Sequence, residues 1–203
     1  MRSSELFLAL TSLFALAHSS EEFGRPKRNL EPLEPWKVTK MSTFSPSGRP
    51  GSSPLAHTWA NITSSGSIAA GHGASFESSD ANCTAEWVWA SEVPYNHTYE
   101  CTTTTAVAPS QSSSSTWTIE ILEVTNSNYF SPTENFDVKF TLTSNVTVDG
   151  NEYYKVLVGT QHFEVGKNMR GTCGGSGLCS WALRDENNPV LVQPTIVACE
   201  GTC

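Results

Sequence analysis

The sequence predicts an all-β domain, a single antiparallel β-barrel or β-sandwich stapled by disulfides. Three observations predict it. Residues 136–148 alternate between apolar and polar side chains, six cysteines follow a signal-like N-terminus, and no later segment shows a sustained 3.6-residue apolar repeat. A two-residue period is typical of a sheet with one face on a core and the other in water. A chain of 203 residues suits one such domain with processing segments.

The clearest predicted strand is Phe136 to Val148. Its even positions, among them Phe136, Val138, Phe140 and Leu142, are expected in the core, and its odd positions face water. Asp149-Gly150 should form a tight hairpin turn, because both residue types tolerate positive φ angles. Tyr153–Val158 should return as the partner strand.

The other segments are predicted from shorter patterns. Strands are expected at Trp36–Thr39, closed by Phe44, and at Leu55–Thr63, with Trp87 and Trp89 as a buried pair. Residues 64–75 read as a loop or weak strand, 106–115 as a mobile Ser/Thr-rich loop and 171–179 as a glycine-rich loop. Pro194 should interrupt a last strand over 190–197, at a sheet edge or bulge. The core should span about residues 36–198.

Residues 1–17 are predicted to be a secretory signal peptide. Arg2 precedes a short apolar run, which ends in the small-x-small cleavage site Ala15-Leu16-Ala17. This run is too short to span a bilayer, and no later stretch approaches the ~20 apolar residues that a membrane helix needs. We therefore expect a secreted, extracellular protein with no membrane partner.

Residues 18–28 are predicted to be a pro-segment. They are polar and end in the dibasic pair Lys27-Arg28, a typical processing site in eukaryotic secretion; the alternative is a disordered basic patch. Cleavage would leave a domain of residues 29–203. It would remove four basic and three acidic residues, leaving 8 basic against 17 acidic, a net charge of −9. Such an acidic surface argues against nucleic acid as a partner.

Six cysteines in an exported chain predict three disulfides. Cys83 and Cys101 should pair, because both lie in strand-like segments that one connection can bring side by side; closing this loop is worth ~3 kcal/mol. The other four allow three pairings, and an oxidising route makes a metal site remote. These four are Cys173, Cys179, Cys199 and Cys203.

Four Asn-x-Thr sequences are candidate N-glycosylation sites. Asn145 falls on the polar face of the 136–148 strand, as an acceptor must. Asn61 has the same strand parity as Trp59, so a glycan there would place Trp59 on the solvent side and Ala60 and Ile62 inward. The four acceptors are Asn61, Asn82, Asn96 and Asn145.

No catalytic, metal-binding or cofactor-binding motif stands out. Gly174–Gly177 lacks the spacing of a nucleophile elbow or of a phosphate loop. The histidines after the dibasic pair have no obvious carboxylate partner and are predicted to be surface residues: His57, His72, His97 and His162. We predict no catalytic residue, metal or cofactor. Two carboxylates distant in sequence could still form a glycosidase site, which keeps a glycan-active enzyme as an alternative.

The order of these features resembles the family of the major secreted allergen of Alternaria and its fungal elicitor relatives. The likeness covers about residues 36–195. The matching segments are Trp36–Thr39, Gly48–Gly51, Asn61–Ile62, Cys83 with Tyr99-x-Cys101, the strands around Phe136 and Tyr153–Val158, Cys173 to Cys179, and an apolar strand near 190–192.

This resemblance implies a secreted β-barrel without an agreed catalytic site, acting at the fungus–plant boundary as an elicitor or effector. It favours Cys173–Cys179 with Cys199–Cys203 over the alternative of Cys173–Cys203 with Cys179–Cys199. Two departures matter. The family's N-terminal cysteine, which links a dimer, has no counterpart before Cys83, and Cys199 and Cys203 extend beyond the family pattern. The oligomeric state stays open.

The favoured functional hypothesis is binding of a host apoplastic protein. A glycan-active enzyme, a glycan-binding protein and a structural wall glycoprotein are the alternatives. A small barrel fills its interior with side chains, so a partner should meet loops and aromatics at the barrel rim. Phe44, Arg49 and Trp59 are the predicted contacts, since Arg and aromatics are common binding hot spots. The alternative for Arg49 is hydrogen bonding to carbonyls within its own loop.

Overall fold

The computed structural model describes residues 32–71, 73–106, 112–124 and 129–201. The predicted signal peptide and pro-segment, with Ala17, Lys27 and Arg28, lie outside the described residues. So do His72, Cys203 and residues 107–111 of the predicted mobile loop. The described strands belong to one unit that spans residues 31–203. Within these ranges no helix is long and apolar enough to cross a membrane.

The described residues form an all-β fold, which confirms the predicted fold class. A single short 3-10 turn at Asp185–Asn187 is the only helical element found in them. The strands are β1 (Trp36–Ser45), β2 (Leu55–Ser64), β3 (Ile68–Gly71), β4 (Ala74–Phe76), β5 (Ser79–Val88), β6 (Thr98–Thr105), β7 (Ser112–Leu122), β8 (Asn135–Val148), β9 (Asn151–Glu164), β10 (Met169–Cys173), β11 (Cys179–Leu183), β12 (Val190–Val192) and β13 (Thr195–Glu200).

One long antiparallel sheet curls into a half-barrel, named the barrel below. Its strand order is β10-β11-β1-β2-β5-β6-β7-β8-β9-β13, and β12 adds to β1. β12 and β13 are neighbours in sequence, yet β12 pairs with β1 and β13 pairs with β9. The segment from Val190 to Glu200 therefore bridges the two flanks of the sheet. Pro194, which was expected to interrupt one strand, separates these two.

The inner face of the sheet carries the main core. Its fully buried aromatic side chains come from β1, β7, β8 and β9 and are Trp36, Trp117, Phe136, Phe140 and Phe163. β8 alternates as predicted, with Phe136, Val138, Phe140 and Leu142 buried. It turns at Asp149 and Gly150, whose φ angles are 50° and 77°. The predicted hairpin is confirmed, and its second strand is longer than expected, Asn151–Glu164.

A small hairpin builds a second apolar cluster. β3 and β4 pair with each other, whereas the sequence predicted a loop or weak strand over residues 64–75. Ala70, Ala74 and Phe76 from this hairpin pack with Val146 of β8 and Tyr153 of β9. The hairpin forms because these few apolar residues can cover the end of the β8–β9 ribbon, although the segment has no long apolar pattern.

Three sequence-based predictions, two of strand boundaries and one of the burial of Trp89, are wrong. Ser112–Ser115, predicted to lie in a mobile loop, belong to β7 because the long strand β8 offers them partners at Ser144–Thr147. Gly171–Cys173, predicted to lie in a loop, belong to β10. Trp89 lies beyond the end of β5 and is half-buried, whereas Trp87 is buried. A turn that bonds Ser91 and Glu92 amides to the Val88 carbonyl ends β5.

Candidate protein-binding site

Several connections meet at the end of the barrel where β1 and β5 finish. They are residues 46–54, 89–97, 129–134, 165–168 and 174–178, and we name this end the rim. The connections contact one another. The Trp89 amide donates to the Pro54 carbonyl at 2.8 Å and the Val165 amide to the Glu134 carbonyl at 2.8 Å. Gly177 lies against Ser47.

The segment 129–134 is held at the rim by inward-facing threonines. Thr43 Oγ1 of β1 donates to the Thr133 carbonyl at 2.6 Å, and Thr58 Oγ1 of β2 donates to the Pro132 carbonyl at 3.3 Å. These side chains face the interior, so they satisfy carbonyls that would otherwise be buried without partners. Pro132 and Thr133 are thereby fixed across the end of the sheet, while Tyr129 and Phe130 of the same segment are exposed.

Large apolar side chains at the rim are exposed. Val93 is 64% exposed, Tyr129 55%, Phe130 47% and Leu178 42%. Phe130 packs edge to face on buried Tyr95, with ring centroids 5.8 Å apart. Apolar side chains clustered on loops are typical of interaction sites, because a monomer rarely gains by leaving them in water. Four of the seven large apolar side chains that are exposed among the described residues therefore lie on the rim connections.

The tyrosines at the rim have perturbed acidity. Burial, with a smaller contribution from the charge of Glu123, raises the pKa of Tyr95 to about 12. Its hydroxyl is buried without a hydrogen-bond partner among the described residues. Burial also raises the pKa of Tyr129, whose hydroxyl donates to the carboxylate of Glu134. Both phenols are therefore neutral at physiological pH and present uncharged rings.

Arg49 supplies an exposed cation on another connection of the rim, residues 46–54. It is exposed, in a turn that is closed by the Ser52 amide and hydroxyl, both of which donate to the Arg49 carbonyl, at 3.1 Å and 2.6 Å. The guanidinium itself makes no hydrogen bond or ion pair with any residue in the described part of the chain. The loop is thus held by its backbone and by Ser52, and the guanidinium is left to solvent.

The other two predicted contact residues lie on the outer face of the sheet. Phe44 lies one residue before the end of β1, next to the rim, and stacks on His57, with ring centroids 5.2 Å apart and planes at 17°. Trp59 lies further along β2, where the Lys40 ammonium sits 5.5 Å from its ring centroid. Phe44 and Arg49 therefore share one end of the molecule, and Trp59 does not belong to the rim.

Four rim residues were missed from the sequence: Val93, Tyr129, Phe130 and Leu178. They lie in short connections whose apolar residues do not alternate, so the two-residue period that indicates a strand face does not identify them. The available signal was the dipeptide Tyr129-Phe130 in a polar connection, between Asn128 and Ser131. Two adjacent aromatic residues outside a strand do not follow the two-residue alternation that places strand residues in the core. Such a pair is therefore expected to be exposed.

His162 has carboxylate partners, which corrects the prediction that it has none. The register pairs it with Asp137, and its Nδ1 lies 2.8 Å from Asp137 Oδ1. Its Nε2 lies 3.0 Å from Glu164 Oε2, and Lys167 Nζ is 2.6 Å from that same oxygen. Hydrogen bonds from Lys167 and then His162 lower the pKa of Glu164. Both ring nitrogens are occupied, so the cluster fastens β8 to β9 and leaves no free base.

Two disulfides are present as predicted. Cys83–Cys101 joins β5 to β6, and Cys173–Cys179 closes the β10–β11 hairpin. The latter excludes the alternative pairing of Cys173 with Cys203. Cys199 is also disulfide-bonded; its partner lies outside the described residues, so the Cys199–Cys203 link stays a prediction. Glu134 lies near Cys173 and Cys179, but sulfurs bonded to each other are not the thiolates that bind metals.

Comparisons with family models, with curated proteins and with solved structures found no match for this chain. The resemblance to the Alternaria allergen family therefore stays a prediction.

Proposed function

We propose that this protein is a secreted binding protein, without catalytic activity, that recognises another extracellular protein through the rim. The single observation that carries the proposal is the set of exposed apolar side chains on the rim connections, Val93, Tyr129, Phe130 and Leu178. Arg49 adds an exposed cation on another of these connections. By the resemblance described above, the partner would be a plant apoplastic protein. Two described disulfides are consistent with the extracellular setting.

The packing of the interior favours a surface partner over a small ligand. Trp36, Trp117 and Phe136 are almost fully buried within the curled sheet. Ligand sites are usually concave and lined by apolar groups around a few polar ones. Here the apolar groups at the rim project outward, on loops that are tied down by hydrogen bonds. Aromatic and arginine side chains on preformed loops lose little entropy on binding a protein.

The charged groups of the sheet favour binding over hydrolysis. A glycosidase needs one carboxyl group held protonated and another ionised. The carboxylates best placed to cooperate, Asp137 and Glu164, are both engaged by His162, and the pKa of Glu164 is lowered rather than raised. Such an arrangement is typical of an ion-pair network. It gives the enzyme hypothesis no support at this site.

Capture of a partner with a matched pair of variants tests the proposal. The oxidised, secreted protein would be immobilised and exposed to plant apoplastic fluid. Phe130→Ser removes an exposed ring of the rim that packs on Tyr95. Tyr154→Ser removes an aromatic of similar exposure, 38%, on the outer face of β9. We expect Phe130→Ser to lower the amount of captured partner at least tenfold and Tyr154→Ser to leave it unchanged. Equal capture by both variants would contradict the proposal.

A further inference from the structure

Two of the glycosylation acceptors face each other across one strand pair. Asn61 on β2 is the direct cross-strand partner of Asn82 on β5. Both lie on the outer face of the sheet, since the residues on either side of each in sequence are buried or disulfide-bonded in the core. Directly opposed residues in antiparallel strands have Cβ atoms only about 4.5–5.5 Å apart. The first sugar on either asparagine would therefore occupy the space above the other.

The surroundings of the two asparagines differ. Asn82 is exposed, and so are its same-face neighbours Asp80 and Thr84 and its partner on β6, Thr102. Thr84 also supplies the hydroxyl of the Asn-x-Thr sequence. A sugar on Asn82 therefore meets small polar side chains and open solvent.

Asn61 is half-buried and has larger neighbours. Lys40 is its partner on β1, and Trp59 shares its face two residues before it. The Lys40 ammonium lies over the Trp59 ring. The Oδ1 atom of Asn61 is buried, with no hydrogen-bond partner in the described part of the chain. A sugar on Asn61 would therefore meet the long side chain of Lys40 and the ring of Trp59.

We infer that Asn61 and Asn82 carry one N-linked oligosaccharide between them in the secreted protein, and that it is attached to Asn82. The donor is a lipid-pyrophosphate-linked oligosaccharide of the eukaryotic secretory pathway. The Asn82 amide nitrogen bonds to the anomeric carbon of the first sugar, the bond from that carbon to the pyrophosphate breaks, and the amide loses one proton as lipid pyrophosphate leaves. Chains modified at both positions pack poorly and are held back from secretion.

Counting glycans per molecule tests this inference. In protein secreted from yeast, Asn96→Gln and Asn145→Gln would remove the other two acceptors, so intact mass reports on this pair alone. Trimming each glycan to its first sugar and sequencing the peptides then locates it. We expect one glycan per secreted molecule, at Asn82. Two glycans on one secreted molecule, one at Asn61 alone, or none at either position would overturn the inference.

Two variants distinguish the roles of the asparagines. Thr63→Ala destroys the Asn61 acceptor sequence and should leave the glycan count of the secreted protein at one. Thr84→Ala destroys the Asn82 sequence and should lower the yield of secreted glycoprotein several-fold. An unchanged yield with the glycan moved to Asn61 would show that the pair has no preference and would overturn the assignment to Asn82. The experiment needs secretion but not partner binding, so its failure leaves the rim proposal intact.

Discussion

Trp36 of β1 and Trp117 of β7 meet edge to face, with ring centroids 4.6 Å apart and ring planes at 70°. The two strands are not neighbours in the sheet, so this contact spans the interior of the barrel. Trp117 Nε1 donates to Ser79 Oγ at 2.8 Å, which satisfies its one polar atom. The pair therefore packs the interior of the barrel between β1 and β7.

The face assignment of β8 can be tested by comparing two neighbouring residues. Phe140 is fully buried, whereas Thr141 is half-buried on the outer face. Phe140→Ala should lower the free energy of unfolding by about 3–5 kcal/mol because it leaves a cavity in the core. Thr141→Ala should change it by less than about 0.5 kcal/mol. Urea unfolding followed by tryptophan fluorescence measures both; equal, small effects would show that the face assignment is wrong.

At Gly159, β9 lies close to the segment from Val190 to Glu200, which bridges the two flanks of the sheet. A Cβ there would lie 2.7 Å from Val192 Cγ1 and 3.2 Å from Trp36 Cζ3. Gly159→Ala should therefore destabilise the fold by about 1–3 kcal/mol through overpacking. Gly175, which has nothing within 4 Å of the equivalent position, is the matched control. Thermal unfolding of Gly159→Ala and Gly175→Ala measures the difference in stability. Similar melting temperatures for the two variants would argue against this close approach.

Tyr95 should make stability depend on pH above its ordinary pKa of 10. Because its pKa in the folded protein is about 12, the folded state keeps the phenolic proton between pH 10 and about 12 while the unfolded state loses it. The free energy of unfolding should therefore fall as pH rises through this window. Tyr95→Phe should make that fall shallower. It should also stabilise the protein by about 1 kcal/mol at pH 7, since a buried hydroxyl without a partner is removed.

Urea unfolding of wild type and Tyr95→Phe at pH 7, 9 and 11 measures this effect. Identical pH profiles for the two proteins would contradict it. Tyr99 is a useful reference, because burial also raises its pKa and it titrates in both proteins.

Arg49→Ala separates recognition from loop structure. The guanidinium has no partner among the described residues, while the Ser52 bonds hold the turn through the Arg49 backbone. We expect partner binding to weaken about tenfold or more with an unchanged melting temperature. Ser52→Ala serves as the comparison, since it removes a bond that closes the turn. A melting temperature that falls together with binding in Arg49→Ala would make the residue structural.

The β8–β9 hairpin could be predicted because the apolar residues of β8 alternate and because Asp149-Gly150 tolerates the positive φ angles of a tight turn. Ser112–Ser115 could not be assigned to a strand, since serine carries no apolar signal and only the length of β8 supplies its pairing. The partners of His162 depend on the register of β8 and β9. Phe44 and Arg49 were predicted for the candidate site, whereas Tyr129 and Phe130 come from a connection whose position is set by Thr43 and Thr58.

The segment from Val190 to Glu200 also determines when the chain can fold. Trp36 pairs with Val192, so the first strand of the described chain completes its contacts only with residues made some 150 positions later. The N-terminal half of the chain leaves the ribosome first. The apolar faces of its hairpins therefore stay exposed until the C-terminal strands have been made. Non-local pairing of this kind is slow. The barrel should therefore close only after the segment from Val190 to Glu200 has been synthesised.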